Sequence, residues 1–181
     1  LPISIHFNQV RVPAKNILGK EGDGFKFAMK GLDGGRINIA TCAVGTAQAA
    51  LDRAMQYVQE RSQFGKTLAH FQSVQFKLAD MLTKTVAARQ MIRLAAFHLD
   101  SGSPDATTYC AMAKRFATDL CFEVANEALQ LHGGYGYLQE YPLERHVRDL
   151  RVHQILEGTN EIMRVIISRK MMEDGALARL Q

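Results

Sequence analysis

Hydrophobic residues recur along most of this chain at the three-to-four-residue spacing of a helix. Ile37, Ala40, Val44, Ala47, Leu51, Ala54 and Val58 share one face of a long helix, which Arg61-Ser62-Gln63-Phe64-Gly65 ends with Gly65 in the stop position. Phe25 to Leu32 predicts a short helix before it, the two interrupted by Asp33-Gly34-Gly35-Arg36. A second long helix carries Val74, Leu78, Met81, Leu82, Ala88, Ile92, Ala95 and Leu99 and stops at the turn Ser101-Gly102-Ser103-Pro104. A third carries Ala113, Phe116, Ala117, Leu120, Val124, Ala128 and Leu131, and His132-Gly133-Gly134-Tyr135-Gly136 breaks it. A shorter helical stretch runs from about Leu143 to Gln154, and the last helix carries Ile162, Val165 and Ile166 and frays towards Gln181.

The period drops to two only at the N-terminus. Ile3, Ile5 and Phe7 alternate with polar residues, and Val10 and Val12 resume on a shifted register before Pro13, which predicts a strand with a bulge or turn. One strand cannot stand without a sheet. The pattern therefore predicts an all-α, antiparallel four-helix-type bundle over residues 19–181, preceded in residues 1–18 by a strand remnant that lacks its sheet.

Composition narrows the classes of function. Among 181 residues the net charge is only +4, and Lys and Arg form no run, which argues against a nucleic-acid footprint. An anionic small ligand such as a nucleotide suits the same balance, and so does ordinary solvated charge. No stretch is long and apolar enough to span a membrane as a helix, and no signal peptide is visible. Cys42, Cys110 and Cys121 are odd in number, lack metal or redox spacing, and read as small buried thiols of a reducing compartment.

Several chemistries common on helical or glycine-rich scaffolds fail on spacing. A di-iron bundle needs Glu-x-x-His pairs, and none of the six His has Glu or Asp three residues before it. Gly65-Lys66-Thr67 looks like the end of a P-loop, but Glu60 stands where the upstream glycine belongs. The glycines after His132 follow a helix and not a Rossmann strand. A helix cap accounts for part of that cluster. Its other glycines leave room for a second backbone or a flat ligand. No metal site is predicted.

Near the C-terminus, Glu157 precedes Gly158 and two good capping residues, Thr159 and Asn160. Locally this leaves two readings open: an acid that complements the next helix's dipole, or a carboxylate held as a positioned base.

Three segments in order now resemble a known family: Arg61-Ser62-Gln63-Phe64-Gly65, Gln130-Leu131-His132-Gly133-Gly134-Tyr135-Gly136, and Leu156-Glu157-Gly158-Thr159-Asn160-Glu161. Together they are similar to the C-terminal helical domain of the acyl-CoA dehydrogenases, over essentially the whole chain. The resemblance implies FAD as cofactor and oxidation of an acyl-CoA thioester to the 2-enoyl-CoA, with Glu157 as the base that takes the α-proton. It also implies that Arg61, Phe64, Gln72, Gln130, Gly133 and Gly134 contact the adenosine and pyrophosphate half of FAD, usually a neighbouring subunit's. Thr159, Asn160 and Glu161 match a flavin-contacting stretch, and Asp33, Gly34, Gly35, Arg36, Gly158 and Arg169 match positions near the acyl-CoA. Arg36 and Arg169 read equally well as a helix-surface residue and a helix-end cation.

In the isovaleryl-type and long-chain-type branches the base stands at the position of Gly35, which cannot serve. Asp33 to Ala40 looks most like the isobutyryl-CoA branch, which acts on short branched acyl groups. The resemblance further implies a homotetramer, an electron-transferring flavoprotein as acceptor, and a bacterial cytoplasm or mitochondrial matrix setting. An acyl-CoA oxidase of the same fold stays open, as does a non-catalytic helical assembly domain, because the N-terminal helical domain and most of the β-domain are outside this chain.

Overall fold

One long helix, α1 (Gly24–Glu60), organises the computed structural model, which describes residues 4–174. It runs unbroken through Gly34 and Gly35, where the sequence predicts an interruption. Glycine costs about 1 kcal/mol per helical position, but the turn is held from both sides. Arg36 Nη1 donates to Asp33 Oδ1 at 2.6 Å, and the Thr107 hydroxyl donates to Asp33 Oδ2 at 2.7 Å.

α1 ends at Arg61 in extended backbone. Gly65 is not a helix stop: Ser62–Gln63 (β1) and Lys66–Thr67 (β2) pair as a minimal antiparallel hairpin. Its two turn residues, Phe64 (φ 54°) and Gly65 (φ 79°), both have the positive φ of a tight hairpin turn.

Two further long helices follow, α2 (Gln72–Asp100) and α3 (Ala106–His132), then the shorter α4 (Leu143–His153) and α5 (Asn160–Asp174). Thr107 at the start of α3 meets Asp33 near the start of α1, and Tyr57 near the end of α1 stacks on His132 at the end of α3. These two helices are therefore parallel. Lys77, early in α2, pairs with Glu127, late in α3, and Lys84 with Glu123, so α2 runs antiparallel to both. α3 is the centre of the bundle, since α1, α2, α4 and α5 all pack on it.

The core is built largely from alanine. Ala40, Ala43, Ala47, Ala50 and Ala54 on α1 face Ala113, Ala117, Ala125 and Ala128 on α3, all fully buried. Small side chains let helix axes approach to the near end of the usual 8–10 Å range. Met81, Val124, Leu143 and Leu150 fill the wider gaps. Cys110 and Cys121 are buried as expected, and burial pushes their thiols up to about 11 and about 12. Cys42 departs from that expectation and is exposed.

Two terminal expectations also change. Residues 4–12 form no strand and are exposed, because among the described residues no neighbouring strand pairs with them. On α5, Ile162 and Val165 are exposed and the fully buried anchor is Met163. The fraying predicted towards Gln181 falls on residues 175–181, outside the described residues.

Three histidines sit in this interior with pKa values below the ordinary 6.5, each chiefly through burial. The Arg53 cation adds to the effect at His132 and His146, and Lys114 at His153, while Asp149 opposes it at His146 and His153. His146 and His153 also keep a buried Nδ1 without a partner. Their neutral forms belong to the folded state. Stability is therefore fully present above the unfolded histidine pKa of about 6.5 and declines as pH falls through that value towards the folded pKa values. Denaturant titrations from about pH 7.5 down to about pH 5 will show a steadily falling unfolding free energy; a flat profile over that window overturns this assignment.

Candidate active site

Glu157 lies in the turn between α4 and α5, and its backbone is left-handed (φ 56°), followed by Gly158 at φ 87°. A non-glycine residue pays about 1–2 kcal/mol for that conformation. The surroundings impose it. Asn160 N–H donates to Gln154 O at 3.0 Å and closes the turn, while Met163 packs so closely that a Cβ on Gly158 would stand 2.7 Å from its Cε. The Thr159 hydroxyl accepts from Ile162 N–H at 3.3 Å and caps α5.

The consequence is the aim of the Glu157 side chain. Its carboxylate reaches across to α1 and lies against Gly35, where an added Cβ would stand 2.9 Å from the Glu157 Cδ and nearer still to Oε2. No hydrogen bond or ion pair among the described residues engages this carboxylate. The glycine that the sequence reads as a break in α1 is what makes room for it. Beside it, Gly34 is open, with nothing within 4 Å of where a Cβ would stand. Arg36 and Asp33 are buried and paired, not surface residues, and Arg36 keeps a buried Nε without a partner. The structure thus brings Asp33, Gly34, Gly35, Arg36, Glu157 and Gly158 into one neighbourhood. Arg169 lies exposed on α5.

The Asn160 side chain is held from within the protein. It is 3 % exposed, and every polar atom of its side chain is engaged inside the protein. Its Nδ2 donates to Thr118 Oγ1 at 2.9 Å and to Asp119 Oδ1 at 2.7 Å, and its Oδ1 accepts from Lys114 Nζ at 2.8 Å. Gln154 Nε2 also donates to Asp119 Oδ1 at 2.9 Å. Glu161 is exposed at the start of α5 and contacts Arg164.

Lys114 is the residue that sequence reasoning missed. It is 0 % exposed on α3, and its Nζ also donates to Gly158 O at 2.8 Å. Burial is the largest influence on it and lowers its pKa to about 8, against the upward pull of Asp119, Glu161 and Glu157; Arg36 adds to the lowering. A signal for it exists in the chain: Lys114 stands four residues after Cys110 and three before Ala117, on the buried stripe of α3.

A second site occupies the far end of α1 and α3. Tyr57, Arg61, Gln63, Leu68, Gln130, Leu131, His132, Gly133, Gly134, Tyr135 and Leu138 line an open groove of about 460 Å³. His132 is wedged against Tyr57 (ring centroids 4.2 Å apart), its Nδ1 within 2.7 Å of Ala128 O, and Arg61 lies 5.6 Å over the Tyr135 ring. The groove gathers Arg61, Gln130, Gly133 and Gly134, four of the six residues that the resemblance groups together. Gln72 and Phe64 do not line it: Gln72 begins α2 and is exposed, and Phe64 projects from the hairpin tip, 92 % exposed.

The donor set suits a dinucleotide. Arg61 offers a planar cation for a pyrophosphate, and Gln130 an amide that both donates and accepts. Gly133 and Gly134 have nothing within 4 Å of where a Cβ would stand, so their backbone is bare to the groove. These residues fit the adenosine and pyrophosphate half of FAD.

Residues 22–172 match the family described as acyl-CoA dehydrogenase, C-terminal domain. The chain is 56 % identical over 168 residues to a mitochondrial isobutyryl-CoA dehydrogenase of Dictyostelium discoideum, covering 93 % of this chain and 40 % of that protein. The mitochondrial isobutyryl-CoA dehydrogenase of Bos taurus is 53 % identical over 171 residues, covering 94 % of this chain and 41 % of that protein. In three dimensions the chain superposes on butyryl-CoA dehydrogenase from Megasphaera elsdenii with a TM-score of 0.89 at 49 % identity, covering 92 % of this chain and 43 % of that one. It spans about two-fifths of the length of the curated relatives it matches. By the match along its length and by its fold, the chain belongs to the acyl-CoA dehydrogenase family and corresponds to that family's C-terminal domain.

Proposed function

We propose that this chain is the helical domain of a flavin-dependent acyl-CoA dehydrogenase and that Glu157 removes the α-proton of a short, branched acyl-CoA. The observation that carries this is the Glu157 carboxylate itself: half-buried, free of hydrogen bonds and ion pairs among the described residues, and held by a strained turn against a glycine. A structural acid at a helix start would be engaged with that helix. This one is turned to α1 instead.

An α-proton next to a thioester is weakly acidic, and its loss places charge on the thioester oxygen. Glu157 takes the proton. Its own backbone N–H, which has no acceptor among the described residues, is a donor for that oxygen, the kind of contact worth about 3–4 kcal/mol in a preorganised site. FAD, when bound, supplies the acceptor for the β-hydrogen, which leaves as hydride, so that the C2–C3 bond becomes a double bond. Glu157, now neutral, holds the proton until the enoyl product departs. The open space at Gly34, where nothing lies within 4 Å of a Cβ position, supports an isobutyryl-type substrate by leaving room for a methyl branch.

The groove at Arg61 serves a second subunit. From Gly35 to the end of α1 is roughly 40 Å at 1.5 Å per residue, longer than one extended FAD. A flavin whose reacting ring lies at Glu157 therefore cannot also occupy the groove of the same chain, and Arg61, Gln130, Gly133 and Gly134 would hold the adenosine and pyrophosphate half of a neighbour's. This supports a homo-oligomer, a tetramer by family resemblance, with an electron-transferring flavoprotein as acceptor and the cytoplasm or mitochondrial matrix as the setting.

Three outcomes test this in the full-length protein. Glu157→Gln leaves flavin content unchanged and lowers kcat by at least about 10²–10⁴-fold, the usual yield of a positioned base. Turnover within tenfold of the parent would end the assignment. Gly35→Ala pushes the carboxylate aside and lowers kcat by about 10²-fold with flavin retained, a loss typical of an ångström-scale misplacement. Arg61→Gln weakens FAD binding by about 10–100-fold, measured by flavin release on dilution, in keeping with about 1.5–3 kcal/mol for a charged hydrogen bond.

A further inference from the structure

We propose that Lys114 is a positioning residue for the base: its buried ammonium fastens the turn after Glu157 to the bundle's central helix and so sets where the carboxylate points. The inference rests on the assignment of Glu157 as the base.

A lysine with no solvent exposure at all is uncommon, and the interior tolerates the charge only where acceptors meet it. Both of its acceptors belong to the same short segment. Gly158 O, at 2.8 Å, is the carbonyl of the residue directly after Glu157, and Asn160 Oδ1, also at 2.8 Å, opens α5. Lys114 therefore grips the segment on either side of Thr159, immediately after the left-handed step. Its own helix supplies the rest of the clamp, because Thr118 and Asp119, four and five residues on, accept from Asn160 Nδ2. Thr118 Oγ1 in turn donates to Lys114 O at 2.8 Å.

This arrangement gives the ammonium a task that hydrophobic packing does not need. A methionine would fill the same volume among Cys110, Ala111, Ala113 and Ala117. It would also leave Gly158 O unpaired and free to rotate, and with it the backbone that holds the Glu157 φ at 56°. Lys114 makes no hydrogen bond to either carboxylate oxygen; beside its electrostatic attraction for Glu157, its hold on the base passes through the backbone.

The test uses the full-length flavin-loaded enzyme, with rates expressed per flavin-loaded site. Lys114→Met is expected to lower kcat at least about tenfold while KM for the acyl-CoA changes less than about threefold, because the acyl-binding surfaces stay in place and only the base is misaimed. Lys114→Gln, which keeps an N–H donor on a shorter stem, is expected to recover part of the loss. A residue that merely stabilises the core would lower the melting temperature in both variants and leave kcat per loaded site unchanged, and that result overturns the proposal. Failure of both variants to fold or load flavin assigns Lys114 to the core alone and overturns it equally. Glu157→Gln in parallel separates the two levels: if it stays active, the assignment of the base fails, whereas an inactive Glu157→Gln beside a fully active Lys114→Met defeats only the role of Lys114.

Discussion

The close contact of α1 and α3 along their alanine faces is the constraint from which the rest follows. Ala40, Ala43, Ala47, Ala50 and Ala54 allow two parallel helices to lie together for most of their length. That contact fixes a common frame at both ends. At the start, Thr107 reaches Asp33 and locks the glycine-rich turn of α1 in helical form. At the end, Tyr57 stacks on His132 and sets one wall of the Arg61 groove. Larger residues along this seam would separate the axes and loosen both sites together, because interdigitated interiors transmit such changes.

On this apolar frame the protein places one polar cluster, and its members are close to full hydrogen-bond satisfaction. Lys114, Thr118 and Asp119 come from a single stretch of α3 and together bind Asn160, Gln154 and Gly158, which begin α5 or join it to α4. A buried ion costs several kcal/mol in solvation and is weak evidence for stability. What it supplies here is register. Hydrophobic contacts would let α5 slide or rotate on α3, whereas the directed bonds to Asn160 permit one position of the helix start and hence one path for the turn before it.

Much of this is legible in the chain's pattern. The α1 stripe from Ala40 to Val58 is buried nearly as the spacing predicts, and the three segments that carry the family resemblance fall at the ends of helices, where backbone becomes available to ligands. The differences share a cause. Judged by its local cost alone, glycine makes Gly35 a helix break and Gly65 a helix stop; tertiary contact at Asp33 outweighs the first, and hairpin geometry reassigns the second. Charge equated with exposure hides Lys114 and leaves the burial of Arg36 open. The resemblance places Asn160 in a flavin-contacting stretch, and no spacing shows that its side-chain amide is bound by α3. On α3 and α5 the true stripe is turned slightly from the predicted one, since Phe116 and Leu120 flank the core that Lys114, Thr118 and Cys121 enter. A hydrophobicity count cannot see a lysine or threonine as core.

The separation of the two sites along one stiff rod carries a further consequence for assembly. The domain presents the proposed base near one end of α1 and a dinucleotide-suited groove at the other, and a helix cannot fold back to join them. On the proposed function each becomes complete only against another body: the base against a bound flavin and acyl-CoA, the groove against a neighbour's cofactor. The exposed aromatic side chains agree with a surface made to be covered, among them Phe64 at the hairpin tip and Phe76 and Phe97 on α2. The hairpin stands at the exit of α1, next to Arg61, so a partner that buries Phe64 also closes over the groove's rim. If the groove holds a neighbour's cofactor as proposed, cofactor retention and subunit contact are one equilibrium: whatever binds the groove stabilises the assembly by the same free energy with which assembly tightens the groove.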